Sequence, residues 1–322
     1  MPGLPFGLAV KNFAPHDEPL RMADVTAYCR RAEELGYRSV WAWDHILLGS
    51  KRPFPFLESL SVLAALSATT ESVTLGTGVL VLPLRNPVVL AKVTATIDQL
   101  SGGRLILGAA AGWYEREFEA VGVPFAKRGS IFVRNVEVLK QFWSEESVSG
   151  EVDGMAFHRA VMLPRPVQQP RPPLLFGGYV DRVLRRVATL SDGWLTYFYT
   201  AESFGRAWTK IRAFAEDAGR DPGELRNVAQ LPLCIDDSFE RADARVRPFI
   251  DRYFDVAPWS ESTPESAIRG TPEQCAEQLA EHVEAGVQHV VLVPCDYDVR
   301  QMEWAAEALL PRFADATLGS AR

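Results

Sequence analysis

Few residues of this 322-residue chain are placed to do chemistry. The run Trp41-Ala42-Trp43-Asp44-His45 sets a carboxylate and an imidazole side by side at the end of an apolar segment. Histidine is the side chain whose ordinary pKa suits proton transfer near neutrality, which makes His45 the candidate catalytic group. In a second reading His45 bonds backbone and Asp44 faces a structural arginine; sequence position leaves both open. Gly76-Thr77-Gly78-Val79-Leu80 lacks Cβ atoms where a flat ring could approach the backbone, although close packing would ask for the same glycines. Phe176-Gly177-Gly178-Tyr179, followed by a helix from about Asp181, could expose backbone N–H groups at a helix N-terminus and hold a phosphate. A plain turn would use Gly-Gly as well. Trp41, Trp43, Trp113, Tyr114, Phe176, Tyr179, Tyr197 and Phe198 could wall a pocket for an aromatic cofactor, or fill core. Cys295 could line the same pocket, but nothing beside it in sequence would lower its pKa, and it reads as a spectator thiol.

These residues need a scaffold, and the chain spells one out. Short β-branched or apolar runs alternate with longer amphipathic stretches, the pattern of successive βα units around a parallel sheet. The expected strands are Phe6 to Val10, Ser39 to Trp43, Val73 to Val79, Arg104 to Ala110, Leu174 to Gly177, Gly193 to Tyr197, Val228 to Ile235 and His289 to Val293. A helix from about Met22 ends at Leu35-Gly36, and Thr271-Pro272-Glu273-Gln274 reads as a capping box with proline at the first helical position. No G-x-G-x-x-G loop follows a strand, so a closed (β/α)8 barrel is expected rather than an open doubly wound sheet. One barrel domain over residues 1–322 would then carry insertions at about 113–173 and 256–270. The first should contain the fourth barrel helix, Ser130 to Phe142, and a hairpin over Val148 to Leu163. The groups named above all fall at strand C-terminal ends, where barrels of this architecture keep their active sites.

Composition narrows the function. With 47% hydrophobic residues the chain can bury a large core. A net charge of −7, with both signs interspersed, argues against a nucleic-acid partner. No apolar run approaches a membrane span and the N-terminus lacks a signal-like pattern, so a cytoplasmic protein is expected. The four cysteines and five histidines are scattered without ligand spacing, which predicts no metal.

Taken in order, several stretches resemble the luciferase-like monooxygenase superfamily, in particular its coenzyme F420-dependent oxidoreductase branch. They are Ala32 to Trp41, Trp43-Asp44-His45, Leu75 to Val79, Asn86-Pro87, Gly102 to Gly108, Gly112-Trp113 with Glu117-Phe118, Gly122 to Phe125, Phe176-Gly177-Gly178 and Gly270 to Glu273. The resemblance implies a luciferase-like barrel and hydride transfer between F420 and an organic substrate at the barrel mouth, with His45 beside the redox ring as proton donor or acceptor. It further implies cofactor contacts at Asp44, Gly78, Val79, Gly112, Trp113, Phe176, Gly177, Gly178 and Tyr179. Among these, a non-prolyl cis bond at Gly78-Val79 would buttress the ring and Phe176-Gly177-Gly178-Tyr179 would cradle the phosphate. The chain departs from the branch's sugar-phosphate dehydrogenases, which carry glutamate where Trp113 stands. Glu115 and Glu117 read as the start of a helix. The alternatives are an FMN-dependent monooxygenase, fed reduced flavin by a partner reductase and using O2, and a non-catalytic flavin-binding barrel. The resemblance also implies a homodimer.

Overall fold

The computed structural model describes residues 4–15, 17–49, 53–254 and 264–314. Eight parallel strands form a closed ring: β1 (Phe6–Ala9), β2 (Ser39–Ala42), β3 (Thr74–Thr77), β4 (Leu105–Ala110), β5 (Leu174–Gly177), β6 (Gly193–Tyr197), β7 (Arg226–Ile235) and β8 (Val290–Pro294). Each pairs with its neighbours in this order, and β8 returns to β1 with Phe6, Gly7 and Leu8 opposite Val290, Val291 and Leu292. The ring is the expected (β/α)8 barrel, and each strand overlaps the run that foreshadowed it.

Strand alternation divides the core in two. Leu8, Val40, Leu75, Leu107, Phe176, Trp194 and Leu231 point outward and bury against the helices. Ala9, Trp41, Trp43, Leu175, Leu195, Val228 and Val293 belong to a second cluster inside the ring. Barrels of this type normally fill their interior with bulky branched side chains. Here the C-terminal layer is uneven. Ala9, Gly78, Ala110 and Gly177 carry one carbon or none, while Trp43 and Tyr197 stand opposite in edge-to-face contact, centroids 5.7 Å apart. A Cβ at Gly78 would meet Gln230 at 3.2 Å and one at Gly177 would meet Val79 at 3.1 Å, so the small residues let these neighbours approach the barrel end closely.

Local signals act as anticipated at several ends. Thr271 and Gln274 make the reciprocal capping box, with Pro272 opening the helix Pro272–Glu284. Gly36 takes a left-handed φ of 89° after the helix Met22–Glu34. The first insertion holds a short helix, Glu115–Ala120, the barrel helix Arg128–Ser144, and an antiparallel hairpin of Val148–Val152 with Met155–Ala160.

Two expectations need correction. The third strand does not run unbroken to Val79: its ladder stops at Thr77, and a two-residue strand, Leu80–Val81, resumes beside Ala109 and Ala110. The second insertion lies mostly outside the described residues. Its described end is not loop, because Ile268–Gly270 adds a strand to the sheet beside Leu233, Cys234 and Ile235.

Candidate active site

His45 follows β2 directly. Its Nδ1 lies 2.8 Å from Oε2 of Glu117, which arrives from the helix Glu115–Ala120 at the end of the β4 loop. The second oxygen of Glu117 accepts the backbone N–H groups of Ile46 and Leu47. Glu117 is 1% exposed and His45 14%. A carboxylate at Nδ1 selects the tautomer that donates from Nδ1, so the neutral ring presents its lone pair at Nε2. The imidazole plane is fixed by edge-to-face contacts with Trp113 at 5.7 Å and Phe56 at 5.5 Å. The result is a held, one-sided acid–base group at the rim of the barrel.

Asp44 does other work. Arg85 grips it with two nitrogens, at 2.8 and 2.7 Å, while Ser59 Oγ and the Val81 N–H each donate at 2.8 Å. It is buried, and all of these partners belong to the protein. Of the two readings open for this residue, the structural arginine is the one observed, its carboxylate being taken up by Arg85, Ser59 and Val81. The pair ties the end of β2 to the segment after Leu80 and so fixes where His45 begins.

Gly78-Val79 is a cis peptide bond, as the resemblance implied. The Gly78 carbonyl accepts Nε2 of Gln230, an inward-facing amide on β7, at 3.3 Å. Val79 is half-buried at the mouth, and a Cβ on Gly177 would come within 3.1 Å of its Cγ1. Gly112 adopts φ 81°, and a side chain there would meet Val81 at 2.6 Å, so the turn that aims Trp113 at His45 requires glycine. The Gly112 carbonyl is also held, by Arg128 Nε at 3.2 Å.

After β5 the four expected phosphate-loop residues separate. Phe176 is fully buried on the outer face, edge-on to Phe132 at 4.8 Å, so its ring is core, the second of the two readings open for it. Gly177, Gly178 and Tyr179 remain at the mouth. Gly178 has φ 140°, and its carbonyl accepts Trp194 Nε1 at 2.9 Å. The helix Asp181–Leu190 starts at once, with no side chain capping its N-terminal amides. Arg182 and Arg186 lie one turn apart on it; burial, then the neighbouring Arg182, pushes the Arg186 pKa down.

Aromatic rings close the far side. Tyr197 stacks on Phe198 at 4.1 Å, and both meet Trp43 and Phe254. Phe198 sits at φ 47°, a costly backbone conformation for a large residue and one that clusters at functional sites. Cys295 is fully buried in the same cluster. Among the described residues no group of three or more His, Cys, Asp or Glu could hold a metal, and no helix is long and apolar enough to cross a membrane.

These features fit a flat redox cofactor with an anionic tail. Gly78, Ala110 and Gly177 carry no more than a methyl group at the strand ends, and a Cβ at Gly177 or Gly178 would press on Val79 or Val183. The helix Asp181–Leu190, with its uncapped N-terminal amides, opens just after Gly178. Sequence reasoning missed Glu117 as a partner of His45 and missed Gln230; the only available signal for the latter was one amide in an apolar strand.

Known proteins agree with this architecture. The chain is 29% identical to an F420-dependent glucose-6-phosphate dehydrogenase of Kineococcus radiotolerans, over 90% of this chain and 91% of that one. It is 31% identical to an FMNH2-dependent dimethylsulfone monooxygenase of Pseudomonas putida, over 50% of this chain and 45% of the other. A monooxygenase from Streptomyces bottropensis superposes with a TM-score of 0.82 at 22% identity, covering 97% of this chain and all of that one, a likeness of fold. Residues 5–289 match the model of one family. The chain belongs to the luciferase-like monooxygenase family.

Proposed function

We propose that the protein is an F420-dependent oxidoreductase that transfers a hydride between the deazaflavin and a small organic substrate lodged between His45 and the aromatic wall. The observation that carries this reading is the His45–Glu117 pair, a positioned proton donor and acceptor aimed into an apolar mouth. Full-length similarity to an F420-dependent dehydrogenase supports it, whereas the FMN-dependent relative matches half the chain.

In this reading Gly78, Val79, Ala110 and Gly177 carry the ring, and Gly178, Tyr179 and the amides opening the helix Asp181–Leu190 hold the phosphate. When bound, the deazaflavin supplies a carbon hydride donor or acceptor in place of flavin N5, which disfavours oxygen chemistry. His45 Nε2 takes the proton from a substrate hydroxyl during oxidation, or returns it to a carbonyl oxygen during reduction. Glu117 holds the tautomer and balances the imidazolium charge. Trp43, Trp113, Tyr197 and Phe198 exclude water and orient the reacting carbon.

A fully F420-loaded His45→Ala variant is expected to lose about 10²- to 10⁴-fold in hydride-transfer rate. Wild-type turnover would refute the role. A second reading, oxygenation with reduced FMN from a partner reductase, draws on the dimethylsulfone monooxygenase relative. Substrate-coupled O2 consumption with reduced FMN would select it.

A further inference from the structure

Cys234 and Cys295 play no part in the mechanism above, yet they lie together. The last paired rung between β7 and β8 is Leu233 opposite Pro294, so Cys234 is the next residue along β7 and Cys295 the first residue beyond the end of β8. Both belong to the inward-facing cluster and both are fully buried. Each thiol perturbs the pKa of the other. Neighbouring strands run about 4.8 Å apart, within the ~4.4–6.8 Å between Cα atoms that a disulfide spans.

The surroundings make the pair unequal. Arg245 reaches it from the helix Phe239–Phe254: its carbonyl accepts the Cys295 thiol at 3.7 Å, and its guanidinium lies near Cys234. The Cys295 hydrogen bond, followed by the charge of Arg245, overcomes burial and holds the Cys234 pKa below the usual thiol value. Cys295 is pushed up by its partner thiol, by burial and by Asp296, whose carboxylate is 3.6 Å away. The other two cysteines are made inert by burial, which raises both, Cys275 to about 12. Cys275 does approach the Cys234 carbonyl at 4.0 Å, but it stands on the opposite face of the sheet, in the outer core.

We propose that Cys234 and Cys295 are a redox-active dithiol in the barrel wall, which closes to an intramolecular disulfide on reaction with a hydroperoxide. The Cys234 thiolate attacks one oxygen of hydrogen peroxide, the O–O bond breaks to give a sulfenic acid and hydroxide, and the hydroxide takes up the proton released by the Cys234 thiol and departs as water. Cys295 sulfur then attacks the Cys234 sulfur, the S–O bond breaks, and the hydroxyl leaves as a second water with the Cys295 proton. Two thiols and one hydrogen peroxide give one disulfide and two waters. The bond would pin the turn Cys295–Tyr297, where Asp296 and Tyr297 hold φ of 57° and 52°. Tyr297 packs on Phe13, Phe249 and Tyr253, so the pinned turn belongs to the aromatic side of the mouth. Neither cofactor reading enters the argument.

The test uses the whole protein without cofactor. It is exposed to hydrogen peroxide, quenched and denatured, and its thiols are counted with a colorimetric disulfide reagent. One pair of the four thiols should disappear and return with dithiothreitol. Non-reducing peptide mapping should then show the Cys234 and Cys295 peptides joined, two hydrogen atoms lighter than their sum. Cys234→Ser and Cys234→Ala should each abolish the link, and Cys29→Ser should keep it. A full thiol count, a link through Cys29 or Cys275, or loss of a pair in either Cys234 variant would overturn the proposal.

Discussion

Replacing Glu117 probes the site without knowledge of the substrate. Its carboxylate accepts from His45 Nδ1 at 2.8 Å with one oxygen, and from the Ile46 and Leu47 amides with the other. Glu117→Gln preserves shape and can keep its carbonyl oxygen on the two amides. The group facing Nδ1 then becomes an NH2, which donates, so the imidazole must accept at Nδ1 and move its proton to Nε2. The ring's polarity toward the mouth is inverted with little change in packing. Glu117→Ala differs, because it strands two backbone N–H groups; at about 1–3 kcal/mol for each buried unsatisfied donor, stability should fall by about 2–6 kcal/mol. The assay is a long-range ¹H–¹⁵N correlation on histidine-labelled protein, paired with chemical denaturation. The wild type should show His45 protonated at Nδ1, and Glu117→Gln should show it protonated at Nε2 with a smaller loss of stability than Glu117→Ala. An unchanged tautomer in Glu117→Gln, or a Glu117→Ala variant as stable as wild type, would refute the proposed partnership.

Other consequences follow from the same contacts. Asp44→Asn removes the bidentate carboxylate from Arg85, which keeps Glu58 at 3.1 Å, and denaturant titration should show a loss of about 1–3 kcal/mol. Gly112→Ala puts a Cβ 2.6 Å from Val81 at φ 81°; it should cost about 1–3 kcal/mol and loosen Trp113 from His45, seen as altered tryptophan fluorescence. Glu33 provides a pH test. Burial raises its pKa, but the amides and hydroxyl of Glu71, Ser72 and Val73 outweigh this and hold it at about 2, against an ordinary 4.5. A carboxyl depressed in the folded state contributes stability above its unfolded pKa, and that contribution fades as pH falls from about 4.5 to about 2. Glu33→Gln should therefore flatten the acid limb of the stability curve across that window while changing its slope little above it. An identical acid limb would count against the amide cage.

The barrel was legible because each strand is a short apolar run set off by capping and turn residues, and local signals of this kind need no partner to be read. The Leu35-Gly36 stop and the Thr271-Pro272 start are such signals. Side-chain partnerships were less legible. His45 and Glu117 are 72 positions apart, and Asp44 and Arg85 are 41 apart, so the fold brings each pair together without any local mark. Glu117 looked like an acidic residue in a helix's first turn, which it also is. Phe176 was left open between pocket wall and core because it sits beside two mouth glycines; strand alternation turns its ring to the outer core. The break in β3 escaped because Gly76 and Gly78 were read as room for a ring or close packing rather than as a sign of broken pairing, and only the pairing with β4 shows where the ladder stops.

Cofactor identity can be read by binding. Purified protein, stripped of small molecules, would be titrated separately with oxidised F420 and with FMN while cofactor fluorescence reports burial of the ring. Micromolar or tighter binding of F420, with FMN binding at least tenfold weaker, is the predicted result. Preference for FMN, or no binding of either, would contradict it.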